Sequence, residues 1–73
     1  MTILKKIEKG VLTLTLNRPT VFNSFNKEMA LALQEELKSA EVNEEVRTVL
    51  ITGEGKAFCA GQDLAEATAV DGP

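Results

Sequence analysis

The residues of this chain that are best suited to chemistry lie in the glycine-rich stretch 53–63. A Walker phosphate loop has the pattern G-x-x-x-x-G-K-[ST], and Gly55-Lys56 supplies its Gly-Lys pair. Leu50 and Ala57, however, stand where that loop needs a glycine and a hydroxyl residue. A dinucleotide-binding G-x-G-x-x-G pattern fails at Phe58. By themselves, the glycines therefore predict a turn and no phosphate-binding loop.

Composition restricts the remaining chemistry. The chain has one cysteine, Cys59, and no histidine. A Ser–His–Asp triad, a Cys–His pair and ordinary zinc or haem sites are therefore excluded within it, and we expect no metal. We interpret Cys59 as a packed thiol, because no basic residue stands beside it in sequence to stabilise a thiolate.

Length and charge restrict the class of protein. Seventy-three residues with 44% hydrophobic residues predict one small globular domain or a piece of a larger one. A net charge of −3 and an aromatic content of 4% argue against a nucleic-acid partner. No apolar run approaches the ~20 residues of a membrane span. The lone thiol and an N-terminus without the apolar region of a signal peptide predict a cytoplasmic location.

The elements that position the stretch 53–63 are predicted from hydrophobic periodicity. Residues 2–8 and 11–17 predict an antiparallel hairpin around Lys9-Gly10, since Leu12, Leu14 and Leu16 alternate with threonines. Residues 46–52 predict a third strand, covered on both faces because Val49-Leu50-Ile51 is continuously apolar. A right-handed crossover makes this strand a parallel neighbour of strand 11–17.

The segment between these strands predicts a helix. Residues 20–26 form a connection that Phe22 and Phe25 are expected to anchor, and Asn26 is the expected N-cap of a helix over residues 27–42. One stripe of this helix should face the sheet, and three side chains should point away: the stripe is Met29, Leu33, Leu37 and Ala40, and the outward residues are Glu35, Glu36 and Lys38. Asp63 is expected to cap a short helix from Leu64, with fraying from Thr68 onward. The predicted fold class is α/β, ββαβ with a short terminal helix.

Two segments in this order resemble the crotonase superfamily, the enoyl-CoA hydratases and isomerases. Residues 17–25, N-R-P-T-V-F-N-S-F, are similar to that family's N-R-P-x-x-x-N-A-L segment. Residues 57–64, A-F-C-A-G-Q-D-L, are similar to its A-F-x-A-G-x-D-L segment, and the intervening helix and strand match as well. Within the family, the residues of these two segments are most similar to those of the ring-epoxide isomerases of phenylacetyl-CoA degradation.

This resemblance implies the start of a spiral of ββα turns that binds an acyl-CoA thioester, with coenzyme A as part of the substrate and no separate cofactor. It implies that the backbone N–H of Gln62 is one donor of an oxyanion hole, where a helix N-terminus would favour negative charge. The alternative is that this turn only caps a helix. The implied substrate and CoA contacts are Thr20, Val21, Phe22, Ser24, Lys56, Ala60, Gly61, Asp63 and Leu64.

Individual roles within this set also follow from the resemblance. Carbonyl groups near Ala60 and Leu64 would take the adenine amine, and Lys56 would meet a CoA phosphate unless it is only a solvated charge. Arg18 is either part of this site or a structural ion-pair partner. Ser24 departs from the family's usual alanine and adds a hydroxyl beside the pantetheine path.

The resemblance also implies what residues 1–73 lack. The family's second oxyanion donor and its catalytic Glu or Asp residues lie downstream of A-G-x-D. We therefore expect residues 1–73 to be the incomplete N-terminal part of a crotonase-like domain, inactive alone, and completed by a homo-oligomer (trimer-based in the family) or the rest of a parent chain. A non-catalytic assembly or CoA-binding module is the second hypothesis, and a downstream glycine turn followed by Glu or Asp would distinguish them. The helix glutamates are expected to be solvated, and the acyl chain and the choice between hydration and isomerisation stay open.

Overall fold

The computed structural model describes residues 2–62, and these form one mixed sheet with a helix on it. Strand β1 spans Ile3–Glu8 and strand β2 spans Val11–Leu16. They pair antiparallel, with Ile3 opposite Leu16 and Glu8 opposite Val11. The turn between them has positive φ at both Lys9 (52°) and Gly10 (83°), as a two-residue type I′ hairpin requires. The predicted hairpin is therefore confirmed.

The core lies on one face of β2. Leu12, Leu14 and Leu16 are at most 2% exposed, whereas Thr13 and Thr15 between them are half-buried. This is the alternation that a strand imposes on successive side chains. Ile3 of β1 and Met29 of the helix complete the buried cluster.

Helix α1 spans Lys27–Glu41, one residue shorter than predicted. Asn26 is its N-cap, and its Oδ1 accepts a hydrogen bond from the Met29 N–H at 2.9 Å. Met29 is fully buried, and Leu33 and Ala40 pack against the core, so three members of the predicted stripe are confirmed.

Two helix side chains differ from the prediction. Leu37 is 40% exposed, so the sheet does not cover the predicted stripe at this position. Glu36, predicted to face away, is half-buried, and its carboxylate lies 3.1 Å from Lys5 Nζ on β1. The long side chain of Lys5 thus reaches the Glu36 carboxylate and holds it against strand β1.

Strand β3 spans Thr48–Gly53 and pairs parallel with β2, with Val11 opposite Thr48 and Leu16 opposite Gly53. The parallel arrangement and the order β1-β2-β3 confirm the predicted topology. The strand begins two residues later than predicted, because the Val46 N–H donates to Asn43 O in the turn after the helix.

Residues 2–62 do not supply the predicted cover of β3 on both faces. Val49 is 37% and Leu50 is 52% exposed, whereas Ile51 packs against the core. Leu50 stands opposite Thr13, on the face of the sheet away from the core, whereas Ile51 stands opposite the buried Leu14. Within residues 2–62, β3 is also the last strand of the sheet, so a neighbouring strand shields it on one side only. An apolar run therefore reports that a strand has two apolar faces, and the surrounding elements decide whether both are covered.

The predicted connection 20–26 includes a short 3-10 helix over Pro19–Val21. Phe25 packs against the core as expected, but Phe22 is 54% exposed and does not anchor the segment. Its backbone is left-handed, with a φ of 54°. The predicted short helix from Leu64 and the predicted fraying from Thr68 lie outside the described residues.

Candidate functional site

The site is built from two connections at the same end of neighbouring parallel strands. Residues 17–25 follow β2, and residues 54–62 follow β3. Parallel strands bring the segments after them to one edge of the sheet. The Glu54 N–H donates to Leu16 O at 2.8 Å, so the second segment leaves the sheet beside the start of the first.

Arg18 organises the first segment. Its carbonyl accepts the N–H groups of Val21, at 3.1 Å, and Asn23, at 2.8 Å. Its guanidinium donates to Ser24 O at 2.6 Å. Of the two roles considered for Arg18, these bonds support a structural one, although the partner shown is a carbonyl and not an acid.

Asn23 connects the first segment to the second. Its side chain is completely buried, with Oδ1 accepting the Arg18 N–H at 2.7 Å. Its Nδ2 donates to Glu54 O at 2.9 Å and to Ala57 O at 2.7 Å. Asn23 lies in the first family-like motif, residues 17–25, but no role was predicted for it from the sequence. The available signal was an asparagine inside a predicted turn, where this residue type tolerates a left-handed backbone and bonds to nearby peptide groups.

A second link lies closer to Gln62. The Phe25 N–H donates to Gly61 O at 2.6 Å, and Phe25 and Gln62 form an isolated parallel β-bridge. In parallel pairing, the residue opposite the donor turns its own N–H and C=O to the other side. The Gln62 N–H accordingly has no protein acceptor among residues 2–62.

Two glycines are required by this geometry. A Cβ on Gly53 would lie 2.5 Å from Phe58 O and 2.7 Å from Ala57 O, so the second segment folds back tightly over the end of β3. Gly61 has φ of 102°, whereas the space beside it is open. Its left-handed backbone, rather than a crowded surrounding, is what favours glycine there.

The other predicted contacts mostly lie at the surface. Exposed side chains or backbone occur at Thr20, Val21, Phe22, Lys56, Ala60 and Gln62, and also at Gly61. Ser24 differs, since it is only 8% exposed. Asp63 and Leu64 lie outside the described residues. The structure thus gathers the described members of the predicted site at one edge of the sheet, with Ser24 beneath the surface.

Cys59 packs partly against the core, and its Sγ accepts the Gly61 N–H at 3.4 Å. This agrees with the interpretation of a packed thiol. Among residues 2–62, no three His, Cys, Asp or Glu side chains come together in a group that could hold a metal ion. The part of the chain described here also has no helix long and apolar enough to cross a membrane.

A mixed sheet with one helix, closed at one edge by these two linked segments, is the start of a crotonase fold. The sequence model of the enoyl-CoA hydratase/isomerase family matches residues 6–71. The chain therefore belongs to the enoyl-CoA hydratase/isomerase family.

Individual relatives agree with this assignment. The 1,2-epoxyphenylacetyl-CoA isomerase of Escherichia coli (strain K12) is 58% identical over 62 residues, which cover 85% of this chain and 24% of that protein. A probable enoyl-CoA hydratase of Rhodobacter capsulatus is 41% identical over 68 residues, covering 93% of this chain and 26% of that protein. The chain spans about a quarter of the length of the curated relatives it matches.

Solved structures show the same fold. The crystal structure of enoyl-CoA hydratase EchA8_6 from Mycobacterium marinum matches all of this chain and 35% of its own, with a TM-score of 0.93 and 40% identity. Pseudomonas aeruginosa PA4980 matches 99% of this chain and 31% of its own, with a TM-score of 0.91 and 36% identity.

Proposed function

We propose that this chain supplies part of an acyl-CoA thioester site in an enoyl-CoA hydratase or isomerase, with the Gln62 N–H as one donor of an oxyanion hole. The observation that carries the proposal is the Phe25–Gly61 bond. It joins the two segments that resemble the family's motifs, and in a parallel bridge of this register the Gln62 N–H points away from Phe25.

The chemistry that this donor would serve is the formation of an enolate. When a proton leaves the carbon next to a thioester carbonyl, the electron pair moves onto the carbonyl oxygen, which becomes negatively charged. A fixed backbone N–H aimed at that oxygen stabilises the anion more than the neutral carbonyl. In other enzymes, one such donor contributes ~2.7–4 kcal/mol to the transition state. The donor belongs to the backbone, so the Gln62 side chain is dispensable for it.

Coenzyme A, as part of the substrate, would lie along the first segment. The exposed side chains of Thr20, Val21 and Phe22 offer an accessible surface for the pantetheine arm. Ser24 is buried beneath them, so its contribution would be to support this surface. The carbonyls near Ala60 and Leu64 would bind the adenine amine, and Lys56, which is exposed, would bind a phosphate. No metal or separate cofactor is needed for these steps.

We propose an arylacetyl group with an epoxide on its ring as the acyl part of the thioester. The support is the similarity to the Escherichia coli isomerase, whose name states that substrate. We also propose that the chain acts in the cytoplasm and within a homo-oligomer or together with further polypeptide. The exposed Val49 and Leu50 on β3 support such an association, because they leave apolar surface uncovered.

The experiment compares Gln62→Ala with Gln62→Pro in the protein as its gene encodes it. The alanine variant keeps the backbone N–H, and the proline variant removes it. The Phe25 N–H donates to Gly61 O, and neither substitution removes that acceptor. The probe is acetoacetyl-CoA, whose enolate carries the relevant negative charge, and its affinity is measured by calorimetry.

A hydrogen bond to a charged group is worth about 1.5–3 kcal/mol. We therefore expect the proline variant to bind acetoacetyl-CoA ~10- to 100-fold more weakly than the wild type, whereas the alanine variant binds it like the wild type. Equal affinity in all three proteins, or absence of binding by the wild type, would overturn the proposal. Binding without any turnover of an enoyl-CoA by the wild type would favour the non-catalytic module.

A further inference from the structure

We infer that Asn23 is a positioning residue. Its side-chain amide fixes the position of the Gln62 N–H relative to the first segment, residues 17–25, which carries the proposed pantetheine surface. This inference rests on the proposed function, since it concerns how the two halves of that site are held together. Asn23 itself is completely buried and has no contact with solvent. Any effect it has on a ligand must therefore pass through the segments that it joins.

The two ends of the Asn23 side chain serve different segments. Oδ1 accepts the Arg18 N–H at 2.7 Å and so holds the turn of its own segment. Nδ2 uses both of its hydrogens on the other segment, at Glu54 O and Ala57 O. An asparagine amide has two donors, so none is left for another partner.

This arrangement fixes the orientation of the amide. Turning it over would place Oδ1 against two carbonyl oxygens and Nδ2 against an N–H, which would lose all three bonds. Because the side chain is completely buried, water does not compete for these groups. The turn at residues 54–57 is therefore held in one position relative to Arg18.

The backbone conformation at Asn23 supports a role for its side chain in holding the second segment. Phe22 and Asn23 both have left-handed φ values, 54° and 57°. Two consecutive non-glycine residues in this region are unfavourable unless other contacts retain them. The conformation places Phe22 at the surface of the proposed CoA segment and the Asn23 amide against the second segment.

The displacement that matters is small. Ala57 lies five residues before Gln62, and the Phe25–Gly61 bond holds the far end of that stretch. If the near end is released, the stretch between these two attachments can shift. A misplacement of about 1 Å at a catalytic group can cost up to ~100-fold in rate. Asn23 should accordingly affect the thioester end of the ligand more than its CoA end.

The test uses two variants that remove the links to the second segment in different ways. Asn23→Asp keeps an oxygen for the Arg18 N–H and removes both donors. Asn23→Gly removes the whole side chain but suits the left-handed backbone and keeps the Asn23 N–H bond to Arg18 O. The matched control is Asn43→Asp, because the Asn43 Oδ1 also accepts a backbone N–H, that of Glu45, in an exposed turn after the helix.

Two readouts are taken from the amide spectrum of the ¹⁵N-labelled protein as its gene encodes it. Titration with coenzyme A measures the affinity for the CoA part of the ligand. Titration with acetoacetyl-CoA measures the affinity for the thioester and the chemical-shift change of the Gln62 N–H. For both Asn23 variants, we expect ~10-fold or more weaker binding of acetoacetyl-CoA, with the Gln62 shift lost. In Asn23→Asp, which keeps the bond to the Arg18 N–H, affinity for coenzyme A should fall by a smaller factor than affinity for acetoacetyl-CoA, because the pantetheine surface of the first segment remains. Of the proposed CoA contacts, only Lys56 and Ala60 lie in the stretch that is released. The Asn43 variant should match the wild type in both titrations.

The outcomes separate this inference from the proposed function. If the wild-type Gln62 N–H does not respond to acetoacetyl-CoA, the proposed function fails and this inference fails with it. If the wild type responds and both folded Asn23 variants respond equally, this inference alone is wrong. Equal losses for both ligands would overturn it by showing that Asn23 only maintains the binding segment. Loss of the folded spectrum in both variants would overturn it too, because Asn23 would then be needed for folding itself.

Discussion

The backbone N–H of Phe25 donates to the carbonyl oxygen of Gly61 at 2.6 Å. This bond joins the segments after two parallel strands, across a helix and a strand of intervening sequence. It uses the carbonyl before Gln62 and leaves the Gln62 N–H to point the other way. The Gly61 C=O and the Gln62 N–H are the two ends of one trans peptide group, so they point in opposite directions: the C=O accepts the Phe25 N–H, and the N–H faces away from Phe25.

Hydrogen exchange should distinguish these two N–H groups. We expect the Phe25 amide to exchange roughly 10-fold or more slowly than the Gln62 amide, because a bonded amide exchanges only when the structure opens. The measurement is amide exchange followed residue by residue by NMR. The Ala30 amide, which donates to Asn26 O at the start of the helix, provides a bonded reference. Equal rates for Phe25 and Gln62 would contradict the bridge.

Gly53→Ala should destabilise the fold by roughly 1–3 kcal/mol, the usual cost of overpacking. The added Cβ would lie 2.5 Å from Phe58 O, and the turn cannot move away without disturbing the bonds from Asn23. The measurement is the free energy of unfolding in urea. Thr52→Ala, at an exposed position of the same strand, is the control and should cost less than about 1 kcal/mol. Similar losses in both variants would argue against the tight contact.

Asn26→Ala should lower the free energy of unfolding by about 1 kcal/mol, because the Met29 N–H would lose its cap. Asn26→Asp should retain most of the stability, since it keeps the accepting oxygen at a helix N-terminus. Thermal unfolding followed by circular dichroism checks both variants. Asn43→Ala removes a bond of the same length, 2.9 Å, in an exposed turn and should have a smaller effect. An unchanged midpoint in Asn26→Ala would show that the cap is not needed.

A polypeptide of residues 1–73 should not turn over crotonyl-CoA measurably. The helix and turn glutamates Glu28, Glu35, Glu41, Glu44 and Glu45 are exposed, as predicted for solvated side chains. Among residues 2–62, the proposed site has one backbone donor, the Gln62 N–H. No side chain in this part of the chain is proposed as the acid or base of the reaction. The assay is the loss of enoyl thioester absorbance, with a complete enoyl-CoA hydratase as the positive control. A rate above the buffer blank would refute the prediction.

The same polypeptide should self-associate through β3. Leu50 is 52% exposed on this edge strand, and each large aliphatic side chain left in water forgoes ~1.5–3 kcal/mol. Leu50→Lys should weaken the association in sedimentation equilibrium. Leu31→Lys is the matched control, since Leu31 is 51% exposed but lies on the helix. A single species of 7.9 kDa with a cooperative thermal transition would show that the core needs no further cover.

The sequence by itself determined the local elements and their order. Alternation along Val11–Leu16 and the helical spacing of Met29, Leu33 and Ala40 depend on backbone geometry, which repeats every two or 3.6 residues. The crossover connection then made β2 and β3 parallel neighbours, because chain connectivity leaves few alternatives. The two motifs identified the family, since a motif is a short pattern of residue types that can be recognised without knowing which residues are in contact.

Only the tertiary structure decided how the site is held and which apolar residues are covered. The bonds from Asn23 span 31 and 34 residues of sequence, and no local period or propensity reports contacts at such distances. The exposure of Phe22 and Leu50 likewise depends on which elements pack beside them, and residue type alone does not report those elements. Burial and long-range hydrogen bonding are properties of neighbours in space, whereas periodicity is a property of neighbours in the chain.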